Sequence, residues 1–168
     1  MEQLKKLLSF EGVPVSEFPK IPLYMDQLLS FFDEVLGIFR LSTKEPILTK
    51  TMVNNYVKAR VLPAPVAKKY NRHQLMQLRI IGQLKNVLSI DDIRRLTVAG
   101  KSGEWSAPVE DVYTTFAEAE QQAIQKLRER LESSGEGMDP AERSKVALRL
   151  ATEANILKQA AERMIREH

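Results

Sequence analysis

The chain has 168 residues, of which 43% are hydrophobic, and a formal net charge of +3. This length suits one domain with an extension or two small domains, and the apolar fraction is sufficient for a core. The lack of cysteine excludes disulfides, thiolate metal sites and Cys nucleophiles, and two histidines leave little scope for a metal centre. No apolar run reaches about 18 residues and the N-terminus lacks a signal-peptide pattern, so we expect a cytoplasmic protein without a membrane span.

Residues 1–22 are predicted to form an irregular N-terminal segment, because a glycine and three prolines interrupt it. Only a short helix at 2–10 is expected there. From 23 to 40, apolar residues recur at three- and four-residue spacing, with extra apolar positions on the flanks. This pattern predicts a helix that is buried on much of its circumference.

A second helix is predicted over 49–59, with Thr49 as its N-cap. At about 100° per residue, the apolar residues of this segment fall on one side and the polar residues on the other. We expect the polar side to face solvent and to carry five side chains: Lys50, Thr51, Asn54, Asn55 and Lys58.

Prolines forbid helix in the next segment, 63–72, which is predicted to be a basic loop containing Lys68, Lys69 and Arg72. Capping-box patterns then begin two helices, one from Asn71 to about residue 87 and one from Ser89 to about residue 99. Charge is concentrated here, since residues 44–101 hold twelve Lys/Arg against three Asp/Glu, a net charge of +9. The rest of the chain must therefore carry −6. The low net charge of the whole chain hides a basic block that is suited to binding polyanions.

The Gly-, Ser- and Pro-containing stretch at 101–108 is predicted to be a linker. Two long helices follow, at 109–131 and from Pro140 towards 166. They are separated by a turn with Gly135 and Gly137 as helix breakers, and Asp139 is predicted to be the N-cap of the second helix. We expect them to form a helical hairpin over 109–168. Their apolar surface exceeds what one hairpin covers, so we expect the remainder to contact the preceding domain or a second copy in a homodimer.

A helix with a polar outer face followed by a basic loop is the arrangement of a helix-turn-helix with a wing. The major groove of DNA admits one α-helix, and Asn can pair bidentately with the edge of adenine. Asn54 and Asn55 are therefore candidates for base contacts. The cations beside them and in the loop are candidates for phosphate contacts.

The same residues carry a family resemblance over roughly 23–96. The segments NNYVKARVLPAP and KKYNRHQLMQLRIIGQLKNVLSIDDIRRL resemble the winged helix of MerR-type regulators, with Tyr56 in the recognition helix, a Leu62-Pro63 turn and Tyr70 at the end of the wing. The segments LYMDQ, LTKTMVNNYVK and LKNVLSIDDI look closer still to an uncharacterised bacterial domain-of-unknown-function family that is itself regarded as MerR-like. The resemblance departs at Asn54 and Asn55, where MerR helices have Arg and Tyr, and at Arg60, where they have Gly.

These observations together predict an all-α fold with a small wing, made of a winged helix-turn-helix domain at 23–100 followed by the hairpin. The predicted function is sequence-specific binding of double-stranded DNA by a dimeric transcription regulator, through a recognition helix at 49–59 and a basic wing at 63–72. The alternative is a protein-interaction module of the same fold. No Gly-rich phosphate loop, catalytic triad pattern or metal-ligand spacing is present in the sequence, so we expect neither an enzyme nor a bound cofactor.

Overall fold

The structure is a computed structural model that describes residues 2–40, 46–99, 103–132 and 138–167. Its helices are α1 (Glu2–Leu8), α2 (Met25–Leu36), α3 (Lys50–Lys58), α4 (Arg72–Leu84), α5 (Ile90–Thr97), α6 (Val109–Glu132) and α7 (Pro140–Arg166). Two strands, β1 (Leu23–Tyr24) and β2 (Lys69–Tyr70), pair antiparallel. The predicted mainly helical class is confirmed. Within these ranges no helix has both the length and the apolar composition needed to cross a bilayer.

Four helices begin at the N-caps that the sequence predicts. At each start, a side-chain oxygen accepts a hydrogen bond of 2.8–3.1 Å from the backbone N–H three residues later, at Thr49, Asn71, Ser89 and Asp139. Such bonds satisfy N–H groups that have no partner inside the helix. The predicted helix breakers at 135 and 137, and the first residues of the predicted linker, lie outside the described residues.

Helix α4 is the central element of the fold. Every residue from Gln74 to Ile81 is buried, so the helix is enclosed on all sides along two turns. Helix α6 packs against it, and α1 packs against α6 in turn. The buried surface of α4 is therefore much wider than a single apolar stripe.

The long helices α6 and α7 differ from the predicted hairpin in what they contact. Helix α6 contributes Tyr113 and Ile124 to the main core, and the Tyr113 hydroxyl donates to Val13 O at 2.6 Å. Helix α7 contains no buried residue and packs mainly on α5. Tyr113 and Ile124 lie on a different side of α6 from the Ala/Leu stripe, which contains Ala119, Ala123 and Leu127. Helix α6 can therefore pack on the core while that stripe stays open beside α7.

The basic loop forms a tight hairpin just before α4. Val66 and Lys69 exchange two backbone hydrogen bonds, of 2.9 and 3.1 Å, around Ala67 and Lys68. Both of these central residues have positive φ, 48° and 63°, as a type I′ turn requires. Strand β2 then pairs with β1, which lies far earlier in the chain, so that Tyr70 is opposite Leu23 and Lys69 is opposite Tyr24. This pairing holds the hairpin against the start of α2.

Candidate nucleic-acid interface

Helix α3 separates its side chains as the sequence predicts. Val53 and Tyr56 are buried, with 0% and 4% of their surface exposed, and the five predicted polar residues are all exposed. The helix is nine residues long, and Thr49 caps its start. The outer face therefore presents two amides, one hydroxyl and two ammonium groups within about two and a half turns.

The polar groups of this outer face are not engaged by the rest of the protein. In the described part of the chain, the side chains of Asn54 and Asn55 make no hydrogen bond, and Lys50 and Lys58 make no ion pair. An exposed amide that has no internal partner can donate and accept at once, which is what bidentate contact with a base edge needs.

The hairpin places its two lysines differently. Lys68 lies at the tip of the turn and is exposed. Lys69 is half-buried, and its Nζ lies 4.8 Å from the centre of the Tyr24 ring on the paired strand. Lys68 is therefore free to contact a phosphate, whereas Lys69 also packs its stem and charge on an aromatic face.

Arg72 is half-buried, and its side chain is engaged by the N-terminal segment. Its Nη2 donates to Val15 O at 2.5 Å, and its Nε is buried without a hydrogen-bond partner among the described residues. Arg72 is the first residue of α4, so its side chain lies beside the N-terminal segment that passes in front of the helix. Its guanidinium ties the N-terminal segment to α4 at Val15, so this cation already has one partner within the protein, unlike Lys50, Lys58 and Lys68.

Part of the positive charge of 44–101 is neutralised inside the fold. The side chain of Arg79 is fully buried and pairs with Glu120 at 2.6 and 2.8 Å. On α5, Arg94 and Arg95 both pair with Asp91. Asp91 is already subtracted in the net charge of +9, so of these pairs only Arg79 with Glu120 reduces the positive surface. Among the described residues of this block, the exposed cations without an ion pair include Lys50, Lys58, Arg60 and Lys68. Across the described ranges, no three His, Asp or Glu side chains are grouped to hold a metal ion.

Arg60 has a structural role that the sequence analysis did not assign. Helix α3 ends in a Schellman motif, in which Val61 N donates to Tyr56 O at 3.1 Å and Arg60 N donates to Val57 O at 3.0 Å. Arg60 occupies the position that glycine usually fills, with φ of 57°. The sequence signal for this role was the position of Arg60 directly before Val61 and Leu62, because MerR helices have Gly at that position. The bend sends Val61 and Leu62 into the core, directly before the hairpin.

Tyr56 anchors α3 in the core by packing. The hydroxyl oxygen is buried and forms no hydrogen bond with any described residue. Burial raises the pKa of Tyr56 to about 12. Nearby, burial lowers the pKa of Lys85, whose Nζ lies 3.7 Å from Met52 Sδ on α3. The inner face of α3 is thus fixed by packing, and its outer face is left open.

Trp105 joins the segment before α6 to the end of α3. Its indole Nε1 donates to Val61 O at 3.1 Å, and the backbone pairs with the end of α5 through Ala99 N to Glu104 O and Ser106 N to Thr97 O. Gly103, with φ of 83°, is buried where an added Cβ would lie 3.2 Å from Arg60 O. The described part of the predicted linker is therefore fastened to the helical domain.

Comparison with known proteins gives one match. A family model described as a domain of unknown function, DUF1836, matches residues 13–116. No curated protein and no solved structure matches the chain. The match extends beyond 23–96 at both ends and takes in the N-terminal segment, the linker and the start of α6, which the structure packs together. The predicted membership of an uncharacterised domain family is therefore confirmed, and the chain belongs to the DUF1836 family.

Proposed function

We propose that this protein is a MerR-like winged helix-turn-helix regulator that binds double-stranded DNA, with α3 in the major groove and the 66–69 hairpin on the adjacent backbone. The observation that carries the proposal is the outer face of α3, where every polar side chain is exposed and the amides of Asn54 and Asn55 have no partner in the described chain. The function is proposed as binding, without catalysis.

The proposed roles follow from the chemistry of each group. Asn54 and Asn55 offer amides with the geometry for an adenine edge. Lys50, Thr51 and Lys58 lie on the same face and suit the phosphates that border the groove. Lys68 lies at the tip of the hairpin that follows α3 after the bend at Arg60. This position suits contact with a second stretch of the DNA backbone.

We further propose that the DNA-binding form is a homodimer assembled through α6 and α7. The apolar side chains of α7 are open to solvent, with Leu157 62% and Met164 69% exposed. A groove of about 800 Å³ runs between the two helices and is lined largely by Ala and Leu side chains such as Ala123 and Leu150. A two-fold dimer would cover this groove and set two α3 helices for successive major grooves, about 34 Å apart.

The experiment that tests the proposal separates base reading from phosphate binding. Fluorescence anisotropy is measured on duplexes from upstream of the protein's own gene and on a scrambled duplex of equal length. We expect Asn54→Ala and Asn55→Ala each to weaken the specific duplex by about 1–3 kcal/mol and to leave the scrambled duplex unchanged. Lys68→Ala should weaken both duplexes equally.

Lys5→Ala, on the exposed surface of α1 and outside both α3 and the α6/α7 groove, is the matched control and should leave both affinities unchanged. Equal loss on both duplexes for the Asn variants would overturn base reading by α3. If no duplex binds even at low salt, the DNA proposal fails. The fold would then serve as a protein-interaction module whose basic face meets an acidic partner.

A further inference from the structure

A second concave surface lies between the hairpin, the start of α4 and the segment that leads into α6. This cleft has a volume of about 900 Å³, within the range of small-molecule sites. Its apolar walls come from Pro63, Val66 and Pro108. None of the site residues proposed for DNA lines it, so it is separate from the outer face of α3.

The cleft is lined by a largely buried glutamine whose amide has no partner among the described residues. Gln77 is 3% exposed and lines the cleft from α4, yet its side chain makes no hydrogen bond with any described residue. Gln74, one turn earlier and 4% exposed, has a fully used amide, which donates to Pro63 O and Ala64 O and accepts from Asn71 N. The Gln77 amide reaches the water in the cleft and has no partner among the described residues, so both its oxygen and its NH₂ group are available to a ligand.

The rim of the cleft is acidic although the whole chain is basic. Glu104, Glu110 and Asp111 line it, and among its described lining residues none is Lys or Arg. The one titratable group of opposite sign is His73, whose Nε2 lies 3.6 Å from Glu110 Oε1. Three carboxylates against one imidazole favour a cation.

Trp105, the aromatic residue of the cleft, also favours a cation. Trp105 is half-buried there, and its Nε1 bond to Val61 O fixes the indole plane. An indole face attracts cations more strongly than the other aromatic rings do. An apolar wall, an indole and an amide oxygen beside carboxylates together match an ammonium group carried on an apolar body, because an ammonium donates hydrogen bonds and accepts none.

We propose that this cleft is a binding site for a small organic cation, an amine with an aromatic or aliphatic body, with Gln77 accepting from the ammonium group, Trp105 packing on the ligand and Glu104 and Glu110 supplying the complementary charge. The proposal does not depend on DNA binding, since no residue of the α3 face takes part.

The single tryptophan of the chain makes the test direct. Trp105 fluorescence of the full chain is titrated with phenethylamine, with phenethyl alcohol as the neutral match and with phenylacetate as the anionic match. We expect a saturable change with the amine, with a dissociation constant on the order of 1 mM for so small a probe. The alcohol should bind at least about fivefold more weakly and the anion should give no saturable change.

Two variants locate the site. Glu104→Gln, at an exposed residue, should weaken amine binding about fivefold, and Gln77→Met, which keeps the side-chain shape, should weaken it roughly tenfold. Glu118→Gln, an exposed carboxylate of α6 outside the cleft, is the control and should change nothing. The proposal is overturned if the amine gives no saturable change, if the alcohol binds as tightly, or if Glu104→Gln and Glu118→Gln behave alike.

Discussion

At the scale of single residues, the pair Arg79–Glu120 links α4 to α6 by two hydrogen bonds between opposite charges. The Arg79 guanidinium also lies 5.0, 5.4 and 6.0 Å from the ring centres of Phe116, Phe39 and Phe10. Such an enclosure removes the charge from water, so the cation depends on Glu120 for compensation. The N-terminal segment completes the enclosure through Phe10, which makes it part of the core.

Removing the carboxylate of this pair is expected to be severe. Glu120→Leu leaves the buried Arg79 guanidinium unpaired and should lower the free energy of unfolding by roughly 3–5 kcal/mol in urea titrations. The double variant Arg79→Met with Glu120→Leu removes both charges and should recover most of that loss. If Glu120→Leu alone costs less than about 1 kcal/mol, the pair is not the link described here.

Arg60 is expected to store strain at the end of α3. At φ of 57° a residue with a Cβ is disfavoured, and glycine is not. Arg60→Gly should therefore raise the free energy of unfolding by about 1 kcal/mol, measured by chemical denaturation. Arg60→Ala removes the same charge but keeps the Cβ, so it should leave stability nearly unchanged. If the two variants have equal free energies of unfolding, the backbone at Arg60 is not strained.

At the scale of elements, the features set by neighbouring residues were predictable. The caps at Thr49, Asn71, Ser89 and Asp139 depend on residues three positions apart, so the sequence displays them directly. The two faces of α3 follow from its periodicity for the same reason. A strand in the wing was a possibility at this Pro-bounded loop, but the pairing of β2 with β1 was not predictable, because β1 at 23–24 is distant in sequence and only two residues long.

The candidate site was predictable only in part, for a related reason. Exposure of Lys50, Asn54 and Asn55 follows from helix geometry. The contact that engages Arg72 depends on Val15, 57 positions away, and the burial of Arg79 depends on Glu120. Composition counts such charges as surface, whereas only the packing of distant segments shows which of them are neutralised.

The docking of α7 on α5 is expected to depend on pH. Arg166 donates to Asp92 at 2.8 and 2.9 Å, and these bonds, with one from Ser89, hold the pKa of that carboxyl well below its usual range. A lowered pKa in the folded state gives stability that is present above the unfolded pKa of about 4 and is lost as pH falls towards the folded pKa.

Wild type should therefore lose thermal stability on acidification from about pH 5 to about pH 3. Asp92→Asn, which has no carboxyl to protonate, should be less stable at the higher pH and lose less on acidification. Arg166→Leu, which removes the partner, should show the same weakened dependence in thermal melts followed by circular dichroism. An acid response in both variants as large as in wild type would contradict the role of the pair.

At the scale of the whole molecule, the open groove between α6 and α7 predicts self-association. Leu157→Glu places a charge in the groove and should convert a dimer to a monomer in light scattering at micromolar concentration, because burying an unpaired carboxylate opposes assembly. Leu148→Glu is the matched control, since Leu148 is 69% exposed and does not line the groove. A monomeric wild type, or the same state for both variants, would show that the groove is not the dimer interface.

The central claim is that the open cations of α3 and the hairpin bind the DNA backbone. Lys50, Lys58 and Lys68 are exposed and make no ion pair with described residues, so a dimer offers roughly six phosphate contacts. The decisive measurement is the affinity of the full-length protein for a duplex over a series of salt concentrations. We expect log K to fall against log[salt] with a slope of about −5, and we expect Lys50→Ala with Lys58→Ala to make this slope shallower by about 3 to 4 in the dimer. Binding that does not change with salt, or a slope that the double variant leaves intact, would contradict it.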